Sequence, residues 1–432
     1  MMMIAMVLGA VGILASLWAS WHGARRHRFI TDTPTSKVKG VFVGQVEVRG
    51  TAESSGPLTS FLAGVANVYY TYEISEHWSR TVTESYTDSD GRRKTRTKTE
   101  SGWKTVDSET KMIPFYLQDD TGLLLIRPEG AKVEAVTVFE QTCSRAEALY
   151  YGKGPAGGVP DSTGRRRFVE KALTLHVPLF VIGKARERQD VVAPEIAQDP
   201  DAEMFLISTR SEEQVVKGYR WMFWGFGFLG FALTLIPLLI GAVQSLMGLS
   251  ILGLALAPTY LAVWGLGWLW LVYNSLMGLK NRVARAWSLI DVECKRRNDL
   301  IPRLVEVARG LRDYERNLQE ELARLRTQSV ATPSGEPGPD IAESRSVLTV
   351  VVEKYPELKS NETFLNLQRE LSNTEDRLAL ARDYYNSIAT QYNTRLEILP
   401  DSWVARLAGL RPRTLLEAEG LERAAVAITL AD

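Results

Sequence analysis

The chain has 432 residues, enough for two or three domains, and its 51 Lys+Arg balance its 51 Asp+Glu. A neutral chain lacks the basic surplus that neutralises phosphates, so we expect no nucleic-acid partner. Cys143 and Cys294 fall in segments that we assign to different domains, which excludes a disulfide framework and a cysteine-rich zinc site. We predict no metal site and no cofactor.

The first transmembrane helix is predicted at residues 1–22, which carry no Asp, Glu, Lys or Arg. The first basic residues, Arg25 and Arg26, follow this apolar stretch, whereas a secretory signal peptide has its basic residues first. The charge rule then places the N-terminus outside. A cleaved signal peptide stays open as an alternative, because Ala15 and Ala19 offer small residues for cleavage.

Residues 219–273 are predicted to form two further transmembrane helices with a break near residues 242–252. No charged residue occurs between Trp221 and Tyr273, a stretch too long for one crossing. Basic residues flank both outer ends, which places both ends in the cytoplasm.

Tryptophans near the ends of all three predicted helices indicate the same side of the membrane, since the indole ring prefers the headgroup level. The alternative is that they pack between helices. The residues predicted to mark this interface are Arg25, Arg26, Trp18, Trp21, Trp221, Trp224, Trp268 and Trp270.

Residues 38–211 are predicted to form a mostly-β domain. Short runs rich in Val, Ile, Tyr and Phe are separated by turn residues, at 40–48, 68–74, 113–117, 123–126 and 173–182. Residues 78–106 alternate threonines with charged residues around Asp90-Gly91, which predicts a hairpin without an apolar face. We expect this hairpin to project into solvent or onto a protein partner. The fold is expected to be a small barrel or sandwich, with an OB-like barrel preferred.

Four segments of this domain carry a resemblance: "GPLTSFLAGVANVYYTYEI", "PFYLQDDTGLLLIRPEGA", "VPLFVIGKA" and "MFLISTRSEEQVVKGYRW". Together they are similar to the GIDE-type domain of a mitochondrial membrane-anchored ubiquitin ligase, where the domain also lies between two membrane helices. In that ligase a RING follows the second helix. This chain has no cysteine between Cys143 and Cys294 and none after Cys294, so the resemblance does not imply ligase activity.

The polar residues of the β domain include weak candidates for catalysis or ligand binding. Asp119 and Asp120 are paired carboxylates, but turns favour Asp for backbone reasons, and His176 lies in a predicted strand. The glycine-rich residues 151–167 lack the order of a phosphate-binding loop and are predicted to be a flexible loop. The basic cluster at residues 165–167 is either a solvated charge run or a contact with anionic lipid.

Residues 274–400 are predicted to form an antiparallel helical bundle. The third membrane helix continues without a break into this bundle, and we expect Pro302 to end it, with Asp299 capping the next helix. A helix from Asn361 carries apolar residues at alternating steps of three and four to Leu399, a heptad seam typical of a coiled coil.

Two segments of this region, "YNSLMGLKNRVARAWSLIDVECKRRNDLIPRLVEVARG" and "EKYPELKSNETFLNLQRELSNTEDRLALARDYYNSIATQYN", resemble the LemA family. The resemblance implies a membrane helix that feeds a helical bundle without an established catalytic site. Charged residues of the region are either a buried ionic network or subunit contact, or ion pairs on solvated faces. Asn386 and Asn393, one heptad apart, could fix helix register or oligomeric state. The predicted bundle or oligomer contacts are Asn281, Trp287, Asp291, Arg296, Arg297, Glu375, Arg382, Tyr385, Asn386 and Asn393.

The sequence thus predicts an α+β membrane protein with three transmembrane helices, a small OB-like β domain, an antiparallel LemA-like bundle and a tail at 401–432. We expect a non-enzymatic homo-oligomeric scaffold in a bacterial inner membrane, with both soluble domains cytoplasmic, that organises or remodels the bilayer. The alternative is an accessory subunit or enzyme whose GIDE-like domain binds a protein, through the 78–106 hairpin, or a small molecule. A transporter is disfavoured because no charged residue lies between Trp221 and Tyr273.

Overall fold

The computed structural model describes residues 2–87, 93–188, 190, 193–243, 247–311 and 362–416. The chain divides into two units. Residues Thr35–Glu212 form the β unit, and Met1–Pro34 together with Glu213–Asp432 form the helical unit. The mixed α+β class predicted from the sequence is confirmed.

Five strands of the β unit close into a small barrel. They pair in the cyclic order β2-β6-β7-β12-β11, and β11 returns to β2. The β7–β12 pair is parallel, and the other four pairs are antiparallel. Short strands β1, β8 and β13 extend this sheet. The strands are β1 (Thr35–Ser36), β2 (Gly44–Glu53), β6 (Phe115–Gln118), β7 (Leu123–Ile126), β8 (Lys132–Glu134), β11 (Pro178–Glu187), β12 (Pro194–Ala197) and β13 (Leu206–Ser208).

The barrel encloses an apolar core supplied by alternate residues of its strands. Val46 and Val48 of β2 are buried with Leu117, Val181 and Ile196 from neighbouring strands, as the two-residue period of a strand requires. A Cβ at Gly50 would lie 2.3 Å from the Gln118 carbonyl oxygen, so the close approach of β2 to β6 needs glycine there.

A second sheet is inserted between the first two barrel strands and continues after β8. Its strands are β3 (Leu58–Thr59), β4 (Ala66–Thr87), β5 (Arg93–Met112), β9 (Val136–Ser144) and β10 (Ser162–Thr174), and helix α2 (Ala148–Gly152) precedes β10. Strands pair in the order β3-β4-β10-β9, and β5 pairs with β4. A hydrophobic cluster that includes Tyr70, Ile74 and Phe168 packs on this sheet.

The predicted hairpin is confirmed as the long β4–β5 pair, in which Thr87 lies opposite Arg93 and Trp78 opposite Gly102. Asp90 and Gly91 themselves lie outside the described residues. The predicted strand at 68–74 was too short, because β4 is one strand of 22 residues. The predicted run at 173–182 was also wrong. It contains a turn between β10 and β11 in which His176 has a φ of 61°, a left-handed conformation that apolar composition does not reveal.

Five helices of the helical unit are described: α1 (Met2–Thr31), α3 (Glu212–Val243), α4 (Met247–Leu311), α5 (Glu362–Glu397) and α6 (Asp401–Leu407). Three of them, α1, α3 and α4, are long and apolar enough to cross a membrane. The end of α3 and the start of α4 fall inside the predicted break. Helix α1 continues past the predicted end at residue 22 to Thr31.

Helix α4 does continue from its apolar part into the helical bundle, but Pro302 does not end it. The helix runs through Pro302 to Leu311. An internal proline removes one backbone hydrogen bond. Leu300 and Ile301, which are buried, hold this turn helical through packing.

Helices α4 and α5 lie antiparallel along the seam predicted from the sequence. The seam residues Leu371, Leu378, Ile388 and Tyr392 of α5 are buried. Three contacts fix the register: Arg395 Nη2 to Ser275 Oγ at 3.2 Å, the rings of Trp287 and Tyr385 at 5.2 Å, and Arg377 Nη2 to Glu293 Oε1 at 3.0 Å. The remainder of the helix predicted to begin at Asp299 lies, beyond Leu311, outside the described residues, as do all residues from 312 to 361.

Candidate functional site at the membrane end of the bundle

Charged and polar residues from α4, α5, α6 and the C-terminal end of α1 meet where the apolar part of α4 gives way to the bundle. We call this group the juxtamembrane cluster. Its members are Arg28, Asp32, Ser275, Arg282, Arg395 and Asp401. Arg28 also lies over the ring of Trp268, 5.9 Å from its centroid, which puts the cluster at the predicted membrane interface.

Asp401 is the best-satisfied carboxylate of the cluster. Arg28 donates to both of its oxygens at 3.1 Å, and Arg395 Nε lies 3.1 Å from Oδ2. Bidentate guanidinium–carboxylate pairs are the strong form of ion pair, and this one is nearly excluded from solvent. Asp401 opens α6, where a negative charge also suits the positive end of the helix dipole. Its position therefore ties the last described helix to the first.

Asp32 follows the last residue of α1 and is buried. Ser275 donates to its Oδ2, and Arg395 Nη2 lies 3.5 Å from its Oδ1. Burial raises the pKa of this carboxyl, while Arg395 and the Ser275 hydroxyl act in the opposite direction. Arg282 of α4 donates to the Asp32 carbonyl at 2.7 Å and lies over the Phe29 ring. The end of α1 is thus held against both α4 and α5.

The three apolar helices contact one another through small residues and buried hydroxyls. Ser20 of α1 donates to the Phe223 carbonyl of α3 at 2.8 Å and accepts from Trp264 Nε1 of α4 at 2.9 Å. Tyr260 donates to the Gly227 carbonyl at 3.0 Å. Small residues and interhelical hydrogen bonds are what membrane helices use to associate.

The predicted interface residues fall into two groups. Trp18, Trp221, Trp224 and Trp270 have exposed rings, as headgroup contact requires. Trp21 and Trp268 are half-buried, and Trp21 donates to the Trp264 carbonyl, so they also pack between helices. Arg25 is exposed and Arg26 half-buried on the last turns of α1.

The predicted bundle contacts are brought together only in part. Trp287 packs edge-on against Tyr385, and Arg297 and Glu375 are buried on facing helices. Arg382 is half-buried, whereas Asn281, Asp291 and Arg296 are exposed on α4. The pair between Glu293 and Arg377 belongs to the same interface and was missed.

Asn386 and Asn393 bind the main chain of residues 410–416, which we call the strap. Asn393 accepts from the Arg413 amide at 2.8 Å and donates to its carbonyl at 2.7 Å. Asn386 makes the same two bonds with Leu416, both at 2.8 Å. Seven helical residues and three extended residues both span about 10 Å, so the strap fits antiparallel along α5.

In the β unit the candidate catalytic residues have structural partners. Asp119 accepts backbone hydrogen bonds from Val38, Thr121 and Gly122, which supports the turn interpretation. Thr121 and these amides hold the pKa of Asp119 below its ordinary value even though burial raises it. His176 is exposed, with Nδ1 3.0 Å from Glu53.

Both sequence interpretations of the basic cluster fail at Arg166, because its side chain is only 1% exposed. Its guanidinium pairs with the buried Glu76 at 3.0 Å and donates to the carbonyls of Tyr150, Pro155 and Gly157. The glycine-rich loop therefore wraps the guanidinium, and a Cβ at Gly154 would lie 2.6 Å from it.

The ionised form of Glu76 is stabilised by this arrangement. Burial raises the pKa of Glu76, but hydrogen bonds from Ser162, Tyr150 and Arg166 outweigh burial, so the pKa lies below its ordinary value.

Comparisons with known proteins match both parts of the chain. The LemA family model matches residues 286–430, and the GIDE model, described as E3 Ubiquitin ligase, matches residues 83–236. The LemA match includes α6 and the strap, which lie in the segment predicted to be a tail.

Curated relatives agree with the LemA match. Protein LemA of Metamycoplasma hominis is 26% identical over 155 residues, which cover 35% of this chain and 71% of that protein. Magnetosome protein MamQ 2 of Paramagnetospirillum magneticum is 24% identical over 203 residues, covering 40% and 71%. Magnetosome protein MamQ of Magnetospirillum gryphiswaldense is 22% identical over 201 residues, with the same coverage. The chain is thus a membrane-associated protein that carries a GIDE region and, C-terminal to it, a LemA-family region.

Proposed function

We propose that this chain is a non-enzymatic integral membrane scaffold of a bacterial inner membrane, whose helical unit self-associates and so organises or remodels the bilayer. The main support for this proposal is the continuity of α4, which runs for 65 residues from an apolar segment into the bundle. At about 1.5 Å per residue it is a rod of roughly 100 Å. Because the juxtamembrane cluster also joins α1 and α6 to it, a force on the bundle reaches the bilayer without a flexible joint.

Relatives support the membrane part of this proposal. The magnetosome proteins are membrane proteins, and the LemA match covers the bundle that α4 feeds. A scaffold needs a rigid connection and a contact surface rather than an assembled acid, base or nucleophile.

Self-association would use surface outside the α4–α5 seam, because that seam is occupied within the chain. Asp291 and Arg296 are exposed on α4 and offer charges of opposite sign to a second copy. We expect the full chain in lipid nanodiscs to have a multiple of its 48.3 kDa mass by light scattering. The double reversal D291R/R296D should leave the fold intact and change the assembly. Wild-type protein that runs as a monomer would contradict self-association.

In the proposed topology the N-terminus is outside and both soluble units are cytoplasmic. Lys217 and Arg220 before the membrane hairpin, with Lys280 and Arg285 after it, support this orientation. A cysteine in place of the exposed Met247 should react in whole cells with an impermeant maleimide, in a C143S/C294S background. Cysteines in place of Thr99 and Leu415 should react only after lysis. Labelling in whole cells at positions 99 and 415, with labelling at position 247 only after lysis, would show that the topology is the reverse of the one proposed.

A second candidate function is an accessory subunit or enzyme whose GIDE region binds a protein or small-molecule substrate. The observation that favours it is the outer part of the β4–β5 hairpin, where most described side chains of both strands are exposed. The barrel supports it too, since five-stranded barrels include the OB type, a common binding architecture. Replacing residues 80–100 with a two-residue turn should abolish crosslinking to such a protein partner. A pure scaffold would keep its crosslinks and its assembly mass.

A further inference from the structure

Helix α6 and the turn before it have two different faces. Val404 and Ala405 are buried in a small core with Val272 and Leu276 of α4. On the other side, four large apolar side chains point away from the protein. Ile398 is 51% exposed, Leu399 63%, Trp403 59% and Leu407 90%. Apolar groups concentrated in this way mark a surface that another phase or molecule covers.

The position of α6 along α4 indicates what covers this surface. Val272 and Leu276 lie four and eight residues after Trp268, or about 6 and 12 Å along the helix. The headgroup region on each side of the hydrocarbon core is roughly 5–8 Å thick. The exposed apolar face of α4 extends to the same depth, through Leu269, Trp270 and Tyr273. Helix α6 therefore lies at the level where α4 leaves the bilayer.

The charges and residue types of α6 also indicate that lipid covers this surface. Arg406 and Arg411 are exposed on and just after α6, whereas the acidic residue of α6, Asp401, is paired with Arg28 and Arg395. A short segment with exposed Trp and Leu beside basic residues is typical of a helix that lies in the membrane interface. Anionic headgroups attract such arginines.

We propose that residues 398–411 form an interfacial membrane anchor. Ile398, Leu399, Trp403 and Leu407 insert at the boundary between headgroups and acyl chains, in the leaflet where α4 ends, and Arg406 and Arg411 contact lipid phosphates. The juxtamembrane cluster sets the depth of this anchor, because Arg28 and Arg395 hold Asp401 at its start. The anchor is independent of whether the bundle self-associates.

The test is the depth of a nitroxide attached to L407C in the full chain, in a C143S/C294S background. The protein is reconstituted in vesicles of phosphatidylcholine and phosphatidylglycerol. The matched control is L415C in the strap. Leu415 is also an exposed leucine, at 46%, but the strap's bonds to Asn386 and Asn393 place it roughly 10 Å further along α5 from the membrane.

We expect the label at position 407 to collide with oxygen, which concentrates in lipid, several-fold more than with a water-soluble nickel chelate. The label at position 415 should show the reverse preference. A label at position 407 that prefers the nickel chelate, as the label at position 415 should, would place α6 in water and overturn the proposal. A label at position 407 that is shielded from both reagents would mean that a second copy or another protein covers α6, which also overturns it.

Discussion

Both units bury charged residues, but the contacts of these residues join segments at different separations along the chain. In the β unit, Arg166 takes its carbonyl partners from residues 9, 11 and 16 positions earlier in the chain and its carboxylate from the neighbouring strand. In the helical unit, Arg28 and Asp401 are separated by 373 positions. The first arrangement holds one loop on one sheet. The second joins the beginning and the end of the described chain.

This difference distinguishes an ion pair that stabilises one unit locally from a cluster that couples several helices to one another. Replacing a buried pair by apolar residues of similar volume is often neutral, whereas removal of one partner leaves an uncompensated charge. The Glu76–Arg166 pair should follow this rule within the β unit alone. Changes in the juxtamembrane cluster should instead be felt on several helices at once, including α6.

The largest effect is expected for Arg166→Met. The change leaves Glu76 buried without its cation, so the free energy of unfolding of the β unit should fall by about 3–5 kcal/mol. Denaturant titration of the full chain, followed by amide exchange in β10, measures it. The double variant E76M/R166M should recover most of the loss.

The neighbouring Arg167→Met is the matched control for this change. Arg167 is 48% exposed and pairs with the exposed Glu140, a contact that contributes about 0–1 kcal/mol. Equal losses for the variants at 166 and 167 would show that the buried pair is no more important than a surface pair.

Glu47 is a buried carboxylate of the same unit with weaker partners. Thr35 donates to its Oε1 at 2.5 Å and the half-exposed Arg49 at 3.2 Å, but Oε2 accepts no hydrogen bond from the described residues. Burial raises the pKa of Glu47 from 4.5 to about 7. The folded state therefore binds a proton that the unfolded state releases, and stability falls as the pH rises from about 4.5 through 7.

Glu47→Gln should remove this pH dependence, because glutamine keeps the shape of the protonated acid. The variant should exceed the wild type in stability by up to about 3 kcal/mol at pH 8 and match it near pH 4.5. Thermal unfolding at both pH values measures the difference. Glu187→Gln, at an exposed position of β11, is the control and should change neither value. A Glu47→Gln variant with the wild-type pH profile would refute the raised pKa.

The sequence predicts features that depend on neighbouring residues and misses those that depend on distant ones. The length of the apolar stretches predicts the three helices that could cross a membrane. The alternating residues on both sides of Asp90-Gly91 predict the β4–β5 hairpin. Arg28, Asp32 and Arg395 carry no local signal, because an ion pair between distant positions has no spacing rule.

The errors at Pro302 and Arg166 have physical reasons of the same kind. A proline usually ends a helix, but packing of Leu300 and Ile301 keeps α4 continuous. An arginine run usually lies in solvent, but strand alternation turns Arg166 inward while Arg165 and Arg167 face outward. A buried arginine needs a partner that compensates its charge, and Glu76 on β4 supplies the carboxylate for Arg166.

Arg395→Met should have a smaller but wider effect than the change at Arg166. Asp401 keeps its bidentate partner Arg28, and Arg395 is itself one-fifth exposed, so we expect a loss of about 2 kcal/mol. Faster amide exchange should appear both at the end of α1 and in α6. Arg406→Met, an exposed change on α6 itself, is the control. Faster exchange confined to α5 would mean that the cluster does not couple the helices.

The smallest effect is expected for the asparagines that hold the strap. Asn393→Ala removes the two hydrogen bonds that its side-chain amide makes with the Arg413 main chain, which together contribute about 1 kcal/mol at this partly exposed position. The Arg413 amide should exchange faster, while the Leu416 amide, bound by Asn386, should change less. Asn373→Ala, at an exposed position of the same helix, is the control for altered helix propensity. Because only two residues separate α6 from the strap, this variant also tests whether the strap, rather than the juxtamembrane cluster, holds α6 in place. If α6 is held by the juxtamembrane cluster, its exchange should stay at the wild-type rate when the strap is loosened.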